Sequence, residues 1–262
     1  MIRALYTAAS GMSAQQLNLD TIANNLANSS TTGFRQLRLQ FQDMLYQNLV
    51  TPGAAQSQST VSAGLQIGLG TKSAATEVIM TQGELNQTSN PLDLAIEGSG
   101  FFQVQRPDGT TAYTRAGQFQ LNNQGTIVTT DGDPVIPTIT IPTNATSVTI
   151  TQYGVVNATL PWQTNPSQLG QLQLAIFPNP GGLEIMGNNL LTQTLSSGPP
   201  VQGNPGGTEG LGTLQQGYLE NSNVDVVTEF VQMVLAQRAY ESNSKVIKAA
   251  DDMYSQVNNM TH

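Results

Sequence analysis

Two long amphipathic segments, one at each end of the chain, limit the possible folds most strongly. A narrow apolar row with a period near 3.5 is typical of a helix that pairs with another helix. Residues 2–26 carry such a row, in which Gln16 takes the one polar place, and its apolar members are Ile2, Leu5, Ala9, Met12, Leu19, Ala23 and Leu26. The pattern predicts an N-terminal helix, ended by the polar residues 29–32 and by Gly33, which readily adopts the left-handed conformation.

The C-terminal segment repeats this pattern over about seven helical turns. Ser222 is followed three residues later by Asp225, a spacing that predicts a capping box at the start of the helix. No proline or glycine occurs from residue 224 to residue 262, so the sequence predicts one long helix. Its row keeps the alternation of three and four: Met233, Ala236, Tyr240, Asn243, Ile247, Ala250, Tyr254 and Val257.

The part of the chain between these segments is predicted to be β structure. Turn signals such as Asp108-Gly109 and Asp131-Gly132 separate short runs of alternating apolar residues, as in hairpins. Residues 198–212 are rich in proline and glycine and are predicted to form a loop. The β region lies between the two helical segments, and we do not expect it to cover the apolar rows of both. Their apolar rows therefore need each other or another chain.

These patterns predict an α+β fold, with long N- and C-terminal helices paired as a coiled-coil-like unit and a central all-β domain inserted between them. We expect a terminal helical domain of residues 1–45 together with 215–262. Residues 72–214 are expected to form the central β domain, and residues 46–71 an extended connector between the two.

Two stretches near this connector allow more than one interpretation. Residues 34–50 have apolar spacings that suit either a helix or a strand. Residues 51–70 are rich in glycine, alanine, serine, glutamine and threonine, which is typical of a flexible linker. The sequence also leaves open whether Arg35 and Arg38 face a neighbouring subunit or solvent.

Composition excludes several classes of function. The chain has no cysteine, so disulfides, thiolate nucleophiles and cysteine-bearing zinc sites are excluded. Its only histidine is His262, which argues against histidine-based catalysis and multi-histidine metal sites. A net charge of −8 with few lysines and arginines argues against nucleic acid as a partner. No apolar run is long enough for membrane insertion, and no cleaved signal peptide is recognisable.

Three small motifs could carry chemistry, but each has a simpler interpretation. Gly98-Ser-Gly100 resembles a phosphate loop, yet a strand follows it rather than a helix, which favours a turn. Asp131 and Asp133 could bind a cation, although no third acidic ligand lies nearby in the sequence. Asp93 and Glu97 could form a catalytic pair, as in an extracellular β-rich glycan-acting enzyme, but no base accompanies them. The sequence predicts no cofactor, no metal and no enzymatic activity.

Longer motifs at both ends resemble the flagellar rod and hook family of axial proteins. At the N-terminus these are Asn24-Asn-Leu-Ala-Asn28 and Thr32-Gly-Phe-Arg35, and at the C-terminus Gln237-Arg-Ala-Tyr-Glu-Ser-Asn-Ser-Lys245. The stretches 93–104 and 113–119 resemble the start of the family's β domain. Length and the segment 46–68 favour the distal-rod branch over a proximal rod or hook subunit. In that branch this segment is an insertion that contacts neighbouring subunits, in contrast to the linker interpretation.

The resemblance implies a structural subunit of the bacterial flagellar basal body. It implies polymerisation into a hollow helical tube, the rigid distal rod, which crosses the periplasm and transmits torque from motor to hook. Helices would form the inner wall of the tube and β domains its outer layer. The implied partners are copies of the same chain, other rod subunits, hook subunits, the surrounding bushing rings and the type III export apparatus. Export by that apparatus needs no cleaved signal peptide.

The apolar rows and the family motifs together predict a set of subunit-interface residues. The asparagines of the N-terminal motif are poor helix formers, and we expect them to make polar contacts between packed subunits. Gly33 and Phe34 are expected to turn the chain out of the helical layer. The predicted interface residues are Leu5, Met12, Leu19, Ile22, Asn25, Leu26, Asn28, Gly33, Phe34, Tyr46, Met233, Tyr240, Asn243, Ile247 and Tyr254.

Overall fold

The computed structural model describes residues 2–50, 55–56, 59–60, 64–161, 165–207 and 210–260. They form two compact units, each assembled from separate stretches of the chain. The helical unit comprises Met1–Ala27, Leu37–Glu77 and Asp225–His262, and the β unit comprises Asn28–Gln36 and Val78–Val224. A long helix at each end flanks a β-rich centre, which confirms the predicted α+β class. The three-part division into domains stays a prediction.

The described part of the helical unit contains two long helices and a series of strands. The prediction of one long helix at each end is confirmed. The bounds are α1 (Ile2–Ala27), β1 (Leu37–Asp43), β2 (Tyr46–Val50), β3 (Ala55–Gln56), β4 (Ser59–Thr60), β5 (Leu65–Gly68), β6 (Thr71–Val78) and α2 (Val226–Met260).

α1 and α2 pack against each other through small side chains. Ala8 and Ala14 on α1 and Ala236 on α2 are buried. A methyl group added to Gly11 would lie 2.8 Å from the side-chain nitrogen of Asn243. Residues without bulky side chains let two helix backbones approach closely, and the remaining side chains fill the contact.

The start of α2 differs from the predicted capping box. The helix begins at Val226, and Asp225 is its N-cap, because one carboxylate oxygen accepts the N–H of Val227 at 3.0 Å and the other accepts the hydroxyl of Thr228. Ser222 lies before the helix and accepts the N–H of Val224 instead. The prediction of Ser222 as the cap is therefore wrong. The hydrogen bond from the Thr228 hydroxyl, followed by that from the Val227 N–H, lowers the pKa of the Asp225 carboxyl.

Residues 37–78 form a ribbon of nested strand pairs rather than a linker. β1 pairs with β6, β2 with β5, and β3 with β4. The ambiguous residues 34–50 are thus strands where they are regular. The predicted insertion forms the outer part of the ribbon, although residues 51–54, 57–58 and 61–63 lie outside the described residues. Two strands alone do not form a stable core, so the ribbon has a surface available for further contacts.

The β unit is built from short strands joined by tight turns. One short 3₁₀ helix, Pro180–Gly182, interrupts them. The strands are β7 (Leu85–Gln87), β8 (Leu94–Glu97), β9 (Phe101–Gln105), β10 (Thr111–Thr114), β11 (Gln120–Leu121), β12 (Ile127–Val128), β13 (Val135–Ile136), β14 (Ser147–Ile150), β15 (Val155–Thr159), β16 (Ser167–Gln171), β17 (Leu174–Ile176), β18 (Glu184–Gly187), β19 (Leu190–Thr192), β20 (Val201–Gly203), β21 (Thr213–Gln216) and β22 (Tyr218–Glu220).

The main sheet of this unit has strand order β18-β19-β10-β9-β17-β20, and β13 also pairs with β9. Side chains alternate across it with a period of two. Phe102 on β9 belongs to the larger apolar cluster and packs edge-to-face on Phe119 at 5.0 Å between ring centroids. The adjacent Phe101 points to the other face and belongs to a smaller cluster with Tyr113 and Phe177. Both faces of the central strand are therefore covered.

The proline- and glycine-rich stretch 198–212 is only partly a loop. Val201–Gly203 forms β20, which pairs with β17 at the edge of the main sheet. The prediction of a continuous loop is therefore wrong. The three strand residues include no proline, so their backbone N–H groups can pair with the neighbouring strand. Residues 208 and 209 lie outside the described residues.

Candidate assembly surfaces

The predicted interface residues differ in how much of their surface is exposed in a single chain. Ile22, Asn25 and Gly33 are buried within the single chain, so they contribute to its own packing. Tyr46, Tyr240 and Tyr254 are exposed. The half-buried ones are Leu5, Met12, Leu19, Leu26, Asn28, Phe34, Met233, Asn243 and Ile247. Contacts of all these residues with neighbouring subunits stay a prediction.

Asn25 has a defined role within the helical unit. Its amide oxygen accepts the N–H of Leu37 at 2.9 Å, and its amide nitrogen donates to the carbonyl of the same residue at 2.8 Å. The nitrogen also lies 3.4 Å from a carboxylate oxygen of Glu229 on α2. One amide therefore joins α1, β1 and α2, which explains a poor helix former at this position.

The β unit holds the two connectors that lead to the helices. Residues 28–36 follow α1, and residues 221–224 precede α2. Gly33 donates its N–H to the carbonyl of Glu220 at 2.8 Å, and Gln36 donates its N–H to the side-chain oxygen of Asn223 at 2.7 Å. The side-chain nitrogen of Asn223 donates to the carbonyls of Ile79 and Thr81. The two connectors are thus held side by side.

Arg35 of the first connector belongs to a buried ion cluster with Arg115 and Glu220. Glu220 has no exposed surface, and its two oxygens lie 2.7 Å from a nitrogen of Arg35 and 3.2 Å from a nitrogen of Arg115. The N–H of Gly83 also donates to this carboxylate at 3.0 Å. A buried carboxylate with two guanidinium partners holds three distant parts of the chain in one place.

Further hydrogen bonds fix both arginines of the ion cluster. Arg35 donates to the carbonyl of Thr81 at 3.0 Å. Arg115 donates to the carbonyls of Ile96 and Gly98 at 3.2 and 2.6 Å, and its guanidinium lies 5.5 Å from the ring centre of Phe101. Burial lowers the pKa of Arg115 to about 10, an effect that the charge of Glu220 opposes. Arg115 therefore remains charged at neutral pH.

Arg35 and Arg38 differ in their surroundings within the single chain. Arg35 is buried and paired with Glu220, whereas Arg38 is exposed and lies 2.7 Å from Glu77 on β6. Hydrogen bonds from Arg38 and then from Gln40 lower the pKa of the exposed Glu77 carboxyl. Each of these two arginines has a carboxylate partner within the same chain.

Sequence reasoning missed Arg115, Glu220 and Asn223 as site residues. The available signal for Arg115 and Glu220 was their charge, because only 10% of the residues are charged and a buried charge is unfavourable unless it is paired. The partners lie far apart in the sequence, so the pattern alone does not reveal which charges meet.

Gly33→Ala is expected to destabilise the β unit by about 2–4 kcal/mol. Gly33 has φ of +71°, and a methyl group there would lie 2.7 Å from the backbone nitrogen of Ala116. Gly132→Ala is the matched control, because φ is +93° but no atom lies within 4 Å of the added methyl. Urea denaturation should show a loss of about 1–2 kcal/mol for the control, from strain alone. Equal losses would contradict the close approach of Gly33 to Ala116.

α2 carries a second apolar face besides the one that contacts α1. Val227 and Phe230 on this face are 71% and 50% exposed. Its residues follow the helical spacing i, i+3, i+4, i+7 and i+8, and we call them the α2 outer strip: Val227, Phe230, Val231, Val234 and Leu235. A contiguous exposed apolar face of this kind is characteristic of a protein–protein contact.

The ribbon also exposes large apolar side chains. Leu45 is 84% exposed, and Tyr46, Leu49 and Leu65 are exposed as well. Tyr46 is the only one of these that the sequence predicted to lie at an interface. The α2 outer strip and the ribbon are the strongest candidates for contacts with other chains.

Both members of the acidic pair considered for catalysis make hydrogen bonds within the chain. Asp93 is buried and accepts a hydrogen bond from the side chain of Asn90 at 2.9 Å. Glu97 accepts one from Gln215 at 2.6 Å. Gly98-Ser-Gly100 is a turn before β9, as the simpler interpretation predicted. Within the described ranges, no group of three metal-binding side chains occurs, and no helix is long and apolar enough to cross a membrane.

Comparisons with known proteins match the N-terminal segment, part of the β region and the C-terminal segment of the chain. Residues 5–35 match the family model "Flagella basal body rod protein", residues 95–158 match "Flagellar hook protein FlgE/F/G D1 domain", and residues 215–260 match "Flagellar basal body rod FlgEFG protein C-terminal". The chain is 50% identical to the flagellar basal-body rod protein FlgG of Caulobacter vibrioides over 254 residues, covering 96% of this chain and 97% of the relative. The chain belongs to the flagellar basal-body rod protein family.

Two other members of the rod protein family are similar over their whole length. FlgG of Buchnera aphidicola from Acyrthosiphon pisum is 47% identical over 99% of this chain and 100% of the relative. FlgG of Bacillus subtilis is 40% identical over 99% of both chains. The resemblance to flagellar rod and hook proteins is thus confirmed, and the rod branch is favoured over the hook branch, since relatives named as rod proteins match from end to end.

Proposed function

We propose that this chain is the structural subunit that polymerises into the rigid distal rod of the flagellar basal body. The observation that carries the proposal is the α2 outer strip, an apolar helix face that the rest of the described chain leaves exposed. A repeated contact between different surfaces of identical subunits does not close on itself and generates a helical filament. A rigid filament of this kind would transmit torque from motor to hook without any enzymatic step.

The pairing of α1 and α2 supports a coiled-coil-like arrangement within each subunit. On α1, buried or half-buried residues follow steps of three and four: Leu5, Ala8, Met12, Gln15, Leu19, Ile22 and Leu26. On α2, a similar row contains Glu229, Met233, Ala236, Asn243, Ile247 and Ala250. Ala9 and Ala23, which the sequence placed in the apolar row, are exposed in the single chain. A coiled-coil-like pair of helices requires a heptad-like row of this kind on each helix.

The proposal also specifies where the chain works and with what. It is exported by the flagellar type III apparatus, and it assembles where the basal body crosses the periplasm. Its partners are its own copies, other rod subunits, hook subunits and the surrounding bushing rings. No cofactor, metal or nucleic acid takes part. Full-length similarity to rod proteins and the rarity of positive charge support these statements.

Deletion of residues 46–68 tests the assignment to the distal rod. This deletion removes β2 to β5 and the exposed apolar residues they carry, while β1, β6 and both helices remain. We expect polymers of the shortened chain to lose straightness and stiffness, because ribbon contacts between subunits are lost. Electron microscopy measures the curvature, and circular dichroism checks that the helices persist. Filaments as straight as those of the full chain would count against the assignment.

A further inference from the structure

A pocket opens in the β unit beside the buried ion cluster. Its volume is about 240 Å³, and its lining includes Arg35, Arg115 and Ser99. Phe101, Ile176 and Phe177 form an apolar part of the wall. One water molecule occupies about 30 Å³ of liquid, so the pocket has room for a group of several heavy atoms.

The charges at this pocket do not balance. Two guanidinium groups share one carboxylate, that of Glu220, so the buried cluster has a net charge of +1. None of the described residues that line the pocket is acidic. A buried net charge is unfavourable unless an ion of the opposite sign lies close to it. The cluster therefore lacks one negative charge.

The hydrogen bonds of the two arginines are also incomplete. Among the described residues, the Nε–H groups of Arg35 and Arg115 are buried and have no hydrogen-bond partner. A guanidinium presents its five donors in a fork that fits a carboxylate. The unpaired donors show that the two arginines are not fully satisfied within the chain, and the net positive charge indicates an anion as the missing partner.

The walls of the pocket restrict the kind of anion. Phe101 and Phe177 pack edge-to-face with their ring centres 6.0 Å apart, and Ile176 is half-buried beside them. An inorganic ion such as phosphate would leave this apolar wall in contact with water. A carboxylate on a short hydrocarbon stem would cover the wall while its charge reaches the arginines.

We propose that this pocket binds a carboxylate carried on a short apolar stem. The side chain of an aspartate or glutamate from a second copy and a free small carboxylic acid share this chemistry. The chain has 17 acidic residues and a net charge of −8, so its own copies are a ready source of carboxylates. Occupation by a second copy rests on the proposed polymerisation, whereas binding of a free acid does not.

The test uses the full-length chain at concentrations where light scattering shows a monomer. Glutarate is titrated at constant ionic strength, with the uncharged 1,5-pentanediol as a control, and amide NMR signals of Ser99, Phe101 and Phe177 are followed. We expect saturable shifts with glutarate and none with the diol.

Ser99→Glu places a carboxylate at the mouth of the pocket and should weaken glutarate binding at least about tenfold, a change of about 1.4 kcal/mol. Ser99→Gln has the same size without the charge and should change binding by less than about threefold.

A second series of spectra, recorded without glutarate at increasing protein concentration, identifies the source of the carboxylate. If raising the protein concentration shifts the same signals, and Ser99→Glu but not Ser99→Gln prevents this, a second copy occupies the pocket. If only glutarate shifts them, the ligand is a free acid, and polymerisation can still occur through other surfaces. Absence of saturation with glutarate, or equal responses of the two variants, overturns the proposal.

Discussion

Glu220→Gln is expected to lower the free energy of unfolding of the β unit by about 3–5 kcal/mol. Removing the carboxylate charge leaves Arg35 and Arg115 buried side by side with nothing to neutralise them. The variant keeps the shape of the side chain, so the loss reports charge rather than a cavity. Amide hydrogen exchange of β9, whose residues Phe102 and Val104 are completely buried, measures this free energy.

Glu97→Gln is the matched control for this experiment. Glu97 belongs to the same unit but is exposed, and its carboxylate accepts a hydrogen bond from Gln215. A change within about 0.5 kcal/mol is expected there, because water replaces the lost interaction. If the two variants lose the same amount, the ion cluster does not hold the connectors, and the description of this part of the molecule is wrong.

Replacing Val227, Phe230 and Val234 with serine is expected to raise the concentration needed for polymerisation at least about 100-fold. Full burial of one such side chain stabilises a contact by about 1.5–3 kcal/mol, so the loss of three exceeds the 2.7 kcal/mol that corresponds to this factor. Because these residues are exposed in the single chain, the variant should fold normally. Sedimentation of polymers over a range of concentrations gives the critical value.

The control for the α2 outer strip is a second triple variant on the same helix. Gln232, Lys248 and Asp252 are exposed, and their replacement by serine carries a comparable cost in helix propensity without a change of net charge. We expect the critical concentration of this variant to change by less than about threefold. Circular dichroism should show equal helix content for both variants. Equal polymerisation of both would show that the strip is not a subunit contact.

Patterns local in sequence predicted much of the fold. The apolar rows predicted α1 and α2 because a helix face recurs every three or four residues, whatever the helix packs on. Asp108-Gly109 predicted the β9–β10 hairpin because its turn geometry depends on those two residues. Family motifs added the rod and hook resemblance, which the full-length matches confirm.

Features that depend on distant residues could not be predicted in this way. The strands of the ribbon were ambiguous, since Leu37 to Phe41 fit a helix or a strand until their partners on β6 are known. Arg35 and Glu220 lie far apart in the sequence and come into contact only in the folded β unit. No local sequence pattern around either residue predicts this contact. Ser222 was wrongly predicted as the cap because the helix begins only at Val226, where the side chain of Asp225 caps the first turn.

Electron microscopy of the purified chain at high concentration tests the central claim most directly. The chain, with its exposed α2 outer strip and ribbon, is expected to form straight, rigid tubes without any other protein. Curved filaments would instead favour the hook branch of the family over the rod branch. Monodisperse monomers that persist at high concentration would contradict the proposal that this chain polymerises by itself.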